Sequence, residues 1–95
     1  MNKSINSEQE EIWNGRLGES FLKVEKFIDE IVEPFSRIAI EKVNAQKGDK
    51  ILDIGCGHGS TSISLAKSGA KVIGIDISEK MILRAKEKSS NIPNI

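Results

Sequence analysis

The stretch Lys50-Ile51-Leu52-Asp53-Ile54-Gly55-Cys56-Gly57-His58-Gly59-Ser60 limits what this chain can fold into more than any other. A short apolar run ends in glycines at every second position and passes into a Ser/Thr-started helical pattern. Ile51, Leu52 and Ile54 fit a strand buried on both faces, as parallel strands are. Asp53 interrupts that run, where an unpaired carboxylate is costly. The glycines admit positive φ and let a ligand come close to the backbone. Strand, glycine loop and helix start is the order that aims backbone N–H groups at a nucleotide-like ligand.

Charge narrows the ligand. A dinucleotide fingerprint G-x-G-x-x-G needs glycine or alanine where this chain has Ser60. Asp53, two residues before the first glycine, repels a pyrophosphate and suits a ligand that carries an ammonium group. About twenty residues further on, Lys71-Val72-Ile73-Gly74-Ile75-Asp76 is a second apolar run that ends in an acid. An acid at the tip of the second strand is placed to accept both hydroxyls of a ribose. The pattern therefore asks for a ribose, an apolar ring and a cation.

At these residues a resemblance is plain. Leu52-Asp53-Ile54-Gly55-Cys56-Gly57-His58-Gly59 resembles the first motif of the class I S-adenosylmethionine-dependent methyltransferases, and Val72-Ile73-Gly74-Ile75-Asp76-Ile77-Ser78 resembles their second-strand motif. The match covers residues 35 to 92, with His58 where that family often has threonine or serine. The resemblance implies S-adenosyl-L-methionine as cofactor. By that likeness Asp53 and the loop of Gly55, Cys56, Gly57, His58, Gly59 and Ser60 hold the methionine part, Asp76 the ribose, and Ile77 the adenine. It also implies an α/β, Rossmann-like methyltransferase fold preceded by N-terminal helices. The family's third strand would begin after Asn94, so the resemblance implies a fold truncated after the second strand and its helix. The expected organisation is an N-terminal helical segment over 1–46 and the first β-α-β-α part of the cofactor-binding domain over 47–95.

Composition bounds the other readings. Ninety-five residues suffice for one small domain, and fourteen basic side chains balance fourteen acidic ones. A nucleic-acid surface built on bulk charge is not expected from that balance. Residues 1–49 carry ten acids and seven bases, residues 50–95 four and seven, which reads as solvated helix faces. No apolar run has the ~20 residues of a membrane span. Met1 to Asn6 lacks the apolar core of a signal peptide, and the single cysteine fits a reducing compartment, so a cytoplasmic protein is expected.

Along the chain, Ser7-Glu8-Gln9-Glu10 has the form of a capping box, with Gly15 and Gly18 closing a short helix. Trp13-Asn14-Gly15 and Gly18-Glu19-x-Phe21 resemble the leader of some bacterial members, whose helices fold over the cofactor pocket. Trp13 as a simple core anchor is the competing reading. Phe21, Val24, Phe27, Ile28, Ile31, Val32 and Phe35 recur at helical spacing and predict a core-facing helix over about 18–32. Pro34 suits the first turn of a further helix that runs to about Ala45. Lys47-Gly48-Asp49 predicts a turn into the first strand. Ser60 or Thr61 is expected to cap a helix through Lys67, and Ser78 the next, with Met81, Ile82 and Ala85 inside and Lys80, Arg84, Lys86 and Lys88 solvated.

Competing readings attach to the site residues as well. Asp53 can be a structural carboxylate under its own loop, and Asp76 a strand-end turn acid. Cys56 reads as a small buried thiol and His58 as an exposed loop residue that contacts ligand; no metal constellation is visible. Two further functions stay open: a nicotinamide-dinucleotide-binding fragment, opposed by Ser60 and Asp53, and a non-enzymatic oligomerising remnant. Catalytic residues and the methyl acceptor are not legible. An unpaired side of the first strand predicts self-association through the sheet edge.

Overall fold

The computed structural model describes residues 5–95; Met1 to Ser4, and with them most of the signal-peptide reading, lie outside the described residues. Three helices come first: α1 (Ser7–Asn14), α2 (Arg16–Lys23) and α3 (Glu25–Val43). The order β1 (Lys50–Ile54), α4 (Ser60–Ala66), β2 (Lys71–Ile75) and α5 (Glu79–Lys88) follows. β1 and β2 form a parallel pair in which Lys50 faces Lys71 and Ile54 faces Ile75.

The helical boundaries differ from the periodicity reading in instructive ways. Asn6, not Ser7, occupies the N-cap of α1, and no side chain caps it. Gly18 does not close α1 but lies buried inside α2. A Cβ there would collide with the Trp13 carbonyl, so glycine is what lets α2 fold back against the end of α1. The long helix breaks at Val24 and then continues unbroken through Pro34 to Val43. Pro34 and Glu30 are both exposed, so water can satisfy the carbonyl that proline leaves unbonded. Asn44 ends α3 in the left-handed conformation, which its short polar side chain tolerates. The predicted turn follows, with Gln46 N–H donating to Asp49 Oδ2 at 2.8 Å.

The small core lies on one side of the sheet. Leu65 and Ala66 of α4 pack on Val72, with Ile40, Ala45, Ile51 and Ile92 around them. The opposite face, formed by Leu52, Ile54, Ile73 and Ile75, is exposed, which corrects the expectation of strands buried on both faces. α3 is also one-sided. Its ridge of Ile28, Val32, Ser36 and Ile40 turns toward the glycine loop and α4, whereas Phe27, Ile31, Phe35 and Ile38 face away. The expectation that these aromatics are core fails, because only one ridge of a helix can meet a neighbour as small as α4.

The basic face of α5 is not simply solvated either. Lys80 pairs with Glu19 of α2, and Arg84 Nε and NH2 both reach Glu25 Oε1 of α3, at 2.8 and 2.6 Å. The charge imbalance between the two halves of the sequence is thus spent on docking them. Hydrogen bonding to Arg84 holds the Glu25 carboxyl below the usual range, against the opposing effect of its burial. No helix among the described residues is long and apolar enough to cross a membrane.

Two outcomes follow from this packing. Val72, 1% exposed, should lose about 2 kcal/mol on replacement by alanine in urea unfolding, and Ile73, 66% exposed, under about 0.5 kcal/mol. Similar losses would contradict a one-sided core. Because the Glu25 carboxyl is depressed, its stabilisation is present above the unfolded-state value and is lost as pH falls through the folded one. The stability gap between wild type and Glu25→Gln should therefore be full at pH 7 and close in acid.

Candidate functional site

The site forms where β1 and β2 both end. Gly55 and Cys56 N–H groups each donate to the Ile75 carbonyl, at 2.8 and 2.9 Å, so the loop leaves the sheet in register with the second strand tip. Gly57 (φ 56°) and Gly59 (φ 91°) turn the loop into α4. A Cβ at Gly57 would meet no atom within 4 Å, so that side of the loop is open. Gly59 takes the N-cap position of α4, and Ser60 begins the helix rather than capping it.

Asp76 ties the two strand ends together. Its Oδ2 accepts the Gly57 N–H at 2.8 Å and its Oδ1 the Ser78 N–H at 2.9 Å. Each oxygen keeps a further lone pair. Ser78 caps α5 as expected, accepting the Met81 N–H at 3.3 Å, and its hydroxyl donates to the Trp13 carbonyl at 2.7 Å. Asn14 completes this joint: its side chain donates to the Ile77 carbonyl at 3.2 Å and accepts from the Glu79 N–H at 2.7 Å. Asn14 was visible in the sequence only within a leader pattern; no local signal marks a bond that spans so much of the chain.

These contacts border an open cavity of about 660 Å³ beside the loop, walled by Trp13, Phe21, Ile77 and Met81 with Gly57 and Asp76 at its polar side. Trp13 and Phe21 meet edge-on, ring centroids 6.3 Å apart. Of the candidate residues, Gly55, Gly57, Asp76 and Ile77 line this one space. Trp13 is both an anchor, through its carbonyl, and a cavity wall.

The remaining candidates surround the loop from behind and below. Asp53 lies on the covered face of β1 and accepts the Ser62 hydroxyl at 2.6 Å, so it braces α4 rather than the loop's own N–H groups. Cys56 is half-buried, its sulfur seated over Gly74. Burial pushes its thiol up, and the charges of Asp53 and Asp76 push it further. Both acids therefore place negative potential on the loop. His58 corrects the expectation of an exposed loop residue: it is 6% exposed, with Nε2 3.0 and 3.1 Å from the two oxygens of Asp29. Ser60 joins the same group through a 3.1 Å bond to Asp29. Asp29 was missed because its partner lies on another element and helical periodicity assigned it to a solvated face. Among the described residues no cluster of His, Cys, Asp and Glu is placed to hold a metal.

Comparison with known proteins agrees with this architecture. A family profile described as "Methyltransferase domain" matches residues 45–93. An uncharacterized methyltransferase of Synechocystis is 43% identical over 54 residues, which is 57% of this chain and 26% of that one. The magnesium-protoporphyrin O-methyltransferase of Synechocystis is 52% identical over 42 residues, 44% of this chain and 18% of that one. A crystal structure of magnesium protoporphyrin IX methyltransferase from Synechocystis with bound S-adenosylmethionine superposes with a TM-score of 0.72. It is 27% identical and covers 97% of this chain and 51% of its own. The chain thus spans about a quarter or less of these two curated relatives. Helices with a short parallel strand pair are those of the Rossmann-like methyltransferase fold, and the chain belongs to the methyltransferase domain family.

Proposed function

We propose that this chain supplies the donor side of a methyltransferase, holding S-adenosyl-L-methionine in the cavity between the glycine loop, the second strand tip and the N-terminal helices. The observation that carries the reading is Asp76: one carboxylate positions the loop through Gly57 and still faces a cavity with apolar walls. Its free lone pairs suit ribose hydroxyls, and Ile77 offers an apolar surface for a flat ring. The open backbone at Gly55 and Gly57 leaves room for the rest of the molecule. Loop potential also supports a cationic ligand. Asp76 in the cavity wall and Asp53 beneath the loop favour a sulfonium and an ammonium and oppose a pyrophosphate, which weighs against a nicotinamide dinucleotide.

When bound, the cofactor supplies a methyl group on a positively charged sulfur. This chain's residues orient it: Asp76 at the ribose, Ile77 at the base, and Gly55, Cys56, Gly57 and Gly59 by the shape of the loop. Asp53, through Ser62, and His58 with Ser60, through Asp29, hold that shape from outside the cavity. The division into a helical cover over 1–46 and a donor-binding part over 47–95 follows the same roles. Methyl transfer also needs an acceptor aligned with the methyl group. The residues named here fix only the donor end of that alignment, so the 95 residues alone are expected to bind without turning over. A cytoplasmic setting suits the single protected thiol.

Self-association is a second property supported by a specific observation. Leu52, Ile54, Ile73 and Ile75 present an exposed apolar face beside an unpaired edge of β1. Concentration-dependent mass in light scattering tests it; a strict monomer would remove it.

The donor site itself is tested with S-adenosylhomocysteine. That ligand should raise the melting temperature, and NADH should not. Asp76→Ala should weaken binding by roughly 1.5–3 kcal/mol, about ten- to a hundredfold in Kd, and Asp76→Asn by less, since it keeps one acceptor. Stabilisation by NADH alone, or unchanged affinity in both variants by calorimetry, would overturn the assignment.

A further inference from the structure

His58 is the single histidine of the chain, and the structure buries it between two glycines of left-handed conformation. Asp76 holds Gly57 N–H and the Cys56 carbonyl holds Gly59 N–H, at 2.8 and 3.0 Å, so the His58 side chain is a further anchor between two residues of high backbone freedom. Three elements meet at this ring, and a fourth, α5, reaches it through Ser60. Asp29 of α3 takes Nε2 on both oxygens, and Ser60 Oγ of α4 lies 3.2 Å from the same nitrogen. The Ser60 hydroxyl donates to Asp29 Oδ2 and accepts from Lys88 Nζ of α5 at 2.9 Å. Phe21 of α2 covers the ring edge-on, centroids 5.5 Å apart.

Proton positions follow from the donors and acceptors. An ionised carboxylate only accepts, so the proton between Asp29 and His58 sits on Nε2. Glu25 of α3 also places its charge near His58 and Lys88, while Arg84 of α5 occupies one of its oxygens. The ring is thus fixed in one orientation by a group on a helix that precedes the loop by almost thirty residues.

We propose that Asp29 is a positioning residue for the glycine loop: by holding His58 Nε2 it locks the segment from Gly57 to Gly59, and donor affinity depends on that lock. Phe21 contributes to both places, one edge toward the donor cavity and one on the His58 ring. Docking of α2 and α3 and ordering of the loop are then one event. The affinity half of this inference rests on the donor site proposed above; the locking half needs no ligand.

Isotope-labelled chain of residues 1–95 separates the two. The single imidazole gives one set of ring nitrogen signals, expected to show Nε2 protonated. In Asp29→Ala the Nε2–H signal should move toward that of a free histidine and exchange faster with solvent, the Gly57 and Gly59 amide signals should move, and the Kd for S-adenosylhomocysteine should rise about tenfold. Asp29→Asn keeps a carbonyl oxygen for Nε2–H and should restore the ring signature, the glycine amides and most of the affinity. Unchanged ring and glycine signals in Asp29→Ala would overturn the inference, as would an asparagine variant that behaves like alanine. If wild type fails to bind S-adenosylhomocysteine, the donor site is wrong, and the ring and glycine signals still decide the role of Asp29. Should Asp29→Ala not fold, Asp29→Asn carries the test: a solvent-protected Nε2 proton with unshifted Gly57 and Gly59 amides supports the lock, and a rapidly exchanging proton contradicts it.

Discussion

The bond from Gly57 N–H to the Asp76 carboxylate is the contact on which the rest of the site depends. It joins the loop after β1 to the tip of β2, which lie side by side only because the two strands pair in parallel through Ile54 and Ile75. The same carboxylate takes the Ser78 N–H, so the start of α5 is held at the same point. An acid at a strand tip thus orders a loop, a turn and a helix while keeping acceptor capacity on the cavity side. Charge-assisted bonds of this kind are about twice as strong as neutral ones, which is what a glycine-rich loop with high chain entropy requires.

The N-terminal helices complete the site from the other side. Their attachment is largely polar, beside the one apolar ridge of α3 that meets α4. Asn14 and the Trp13 carbonyl meet the α5 N-terminus, Glu19 and Glu25 meet Lys80 and Arg84, and Asp29 meets His58. Exposed pairs such as Glu19 with Lys80 add little stability, yet they set the register in which α2 and α3 lie on the loop. Apolar burial does little of this work, since Phe27, Ile31 and Phe35 stay outside the contact. Ile40 does pack on the core, and Trp13 and Phe21 border the cavity.

Much of this was legible before any coordinates. The β-α-β-α order, the turn at Lys47-Gly48-Asp49 and the Ser78 cap follow from local patterns that the structure repeats. Local patterns failed where a distant partner decides. Gly18 reads as a helix stop but is a point of close approach to Trp13. Pro34 reads as a helix start but sits mid-helix, on a face where water is available. His58 and Lys88 read as exposed because their partners, Asp29 and Ser60, belong to other elements. Asp53 looked like a ligand contact from its place before the glycines; the structure adds Ser62, a partner one helix away. The strand run could not tell one buried face from two, since apolar residues occupy both alternating sets, Ile51 beside Asp53 and Leu52 with Ile54.

The proposed donor site is measured most directly by titrating the labelled chain with S-adenosylhomocysteine and following its amide signals. Shifts concentrated at Gly55, Gly57, Asp76 and Ile77, with Trp13 and Phe21 moving beside them, are the expected result. Saturable shifts confined to the exposed sheet face at Leu52, Ile54, Ile73 and Ile75, or none in a chain shown to be folded, would contradict it.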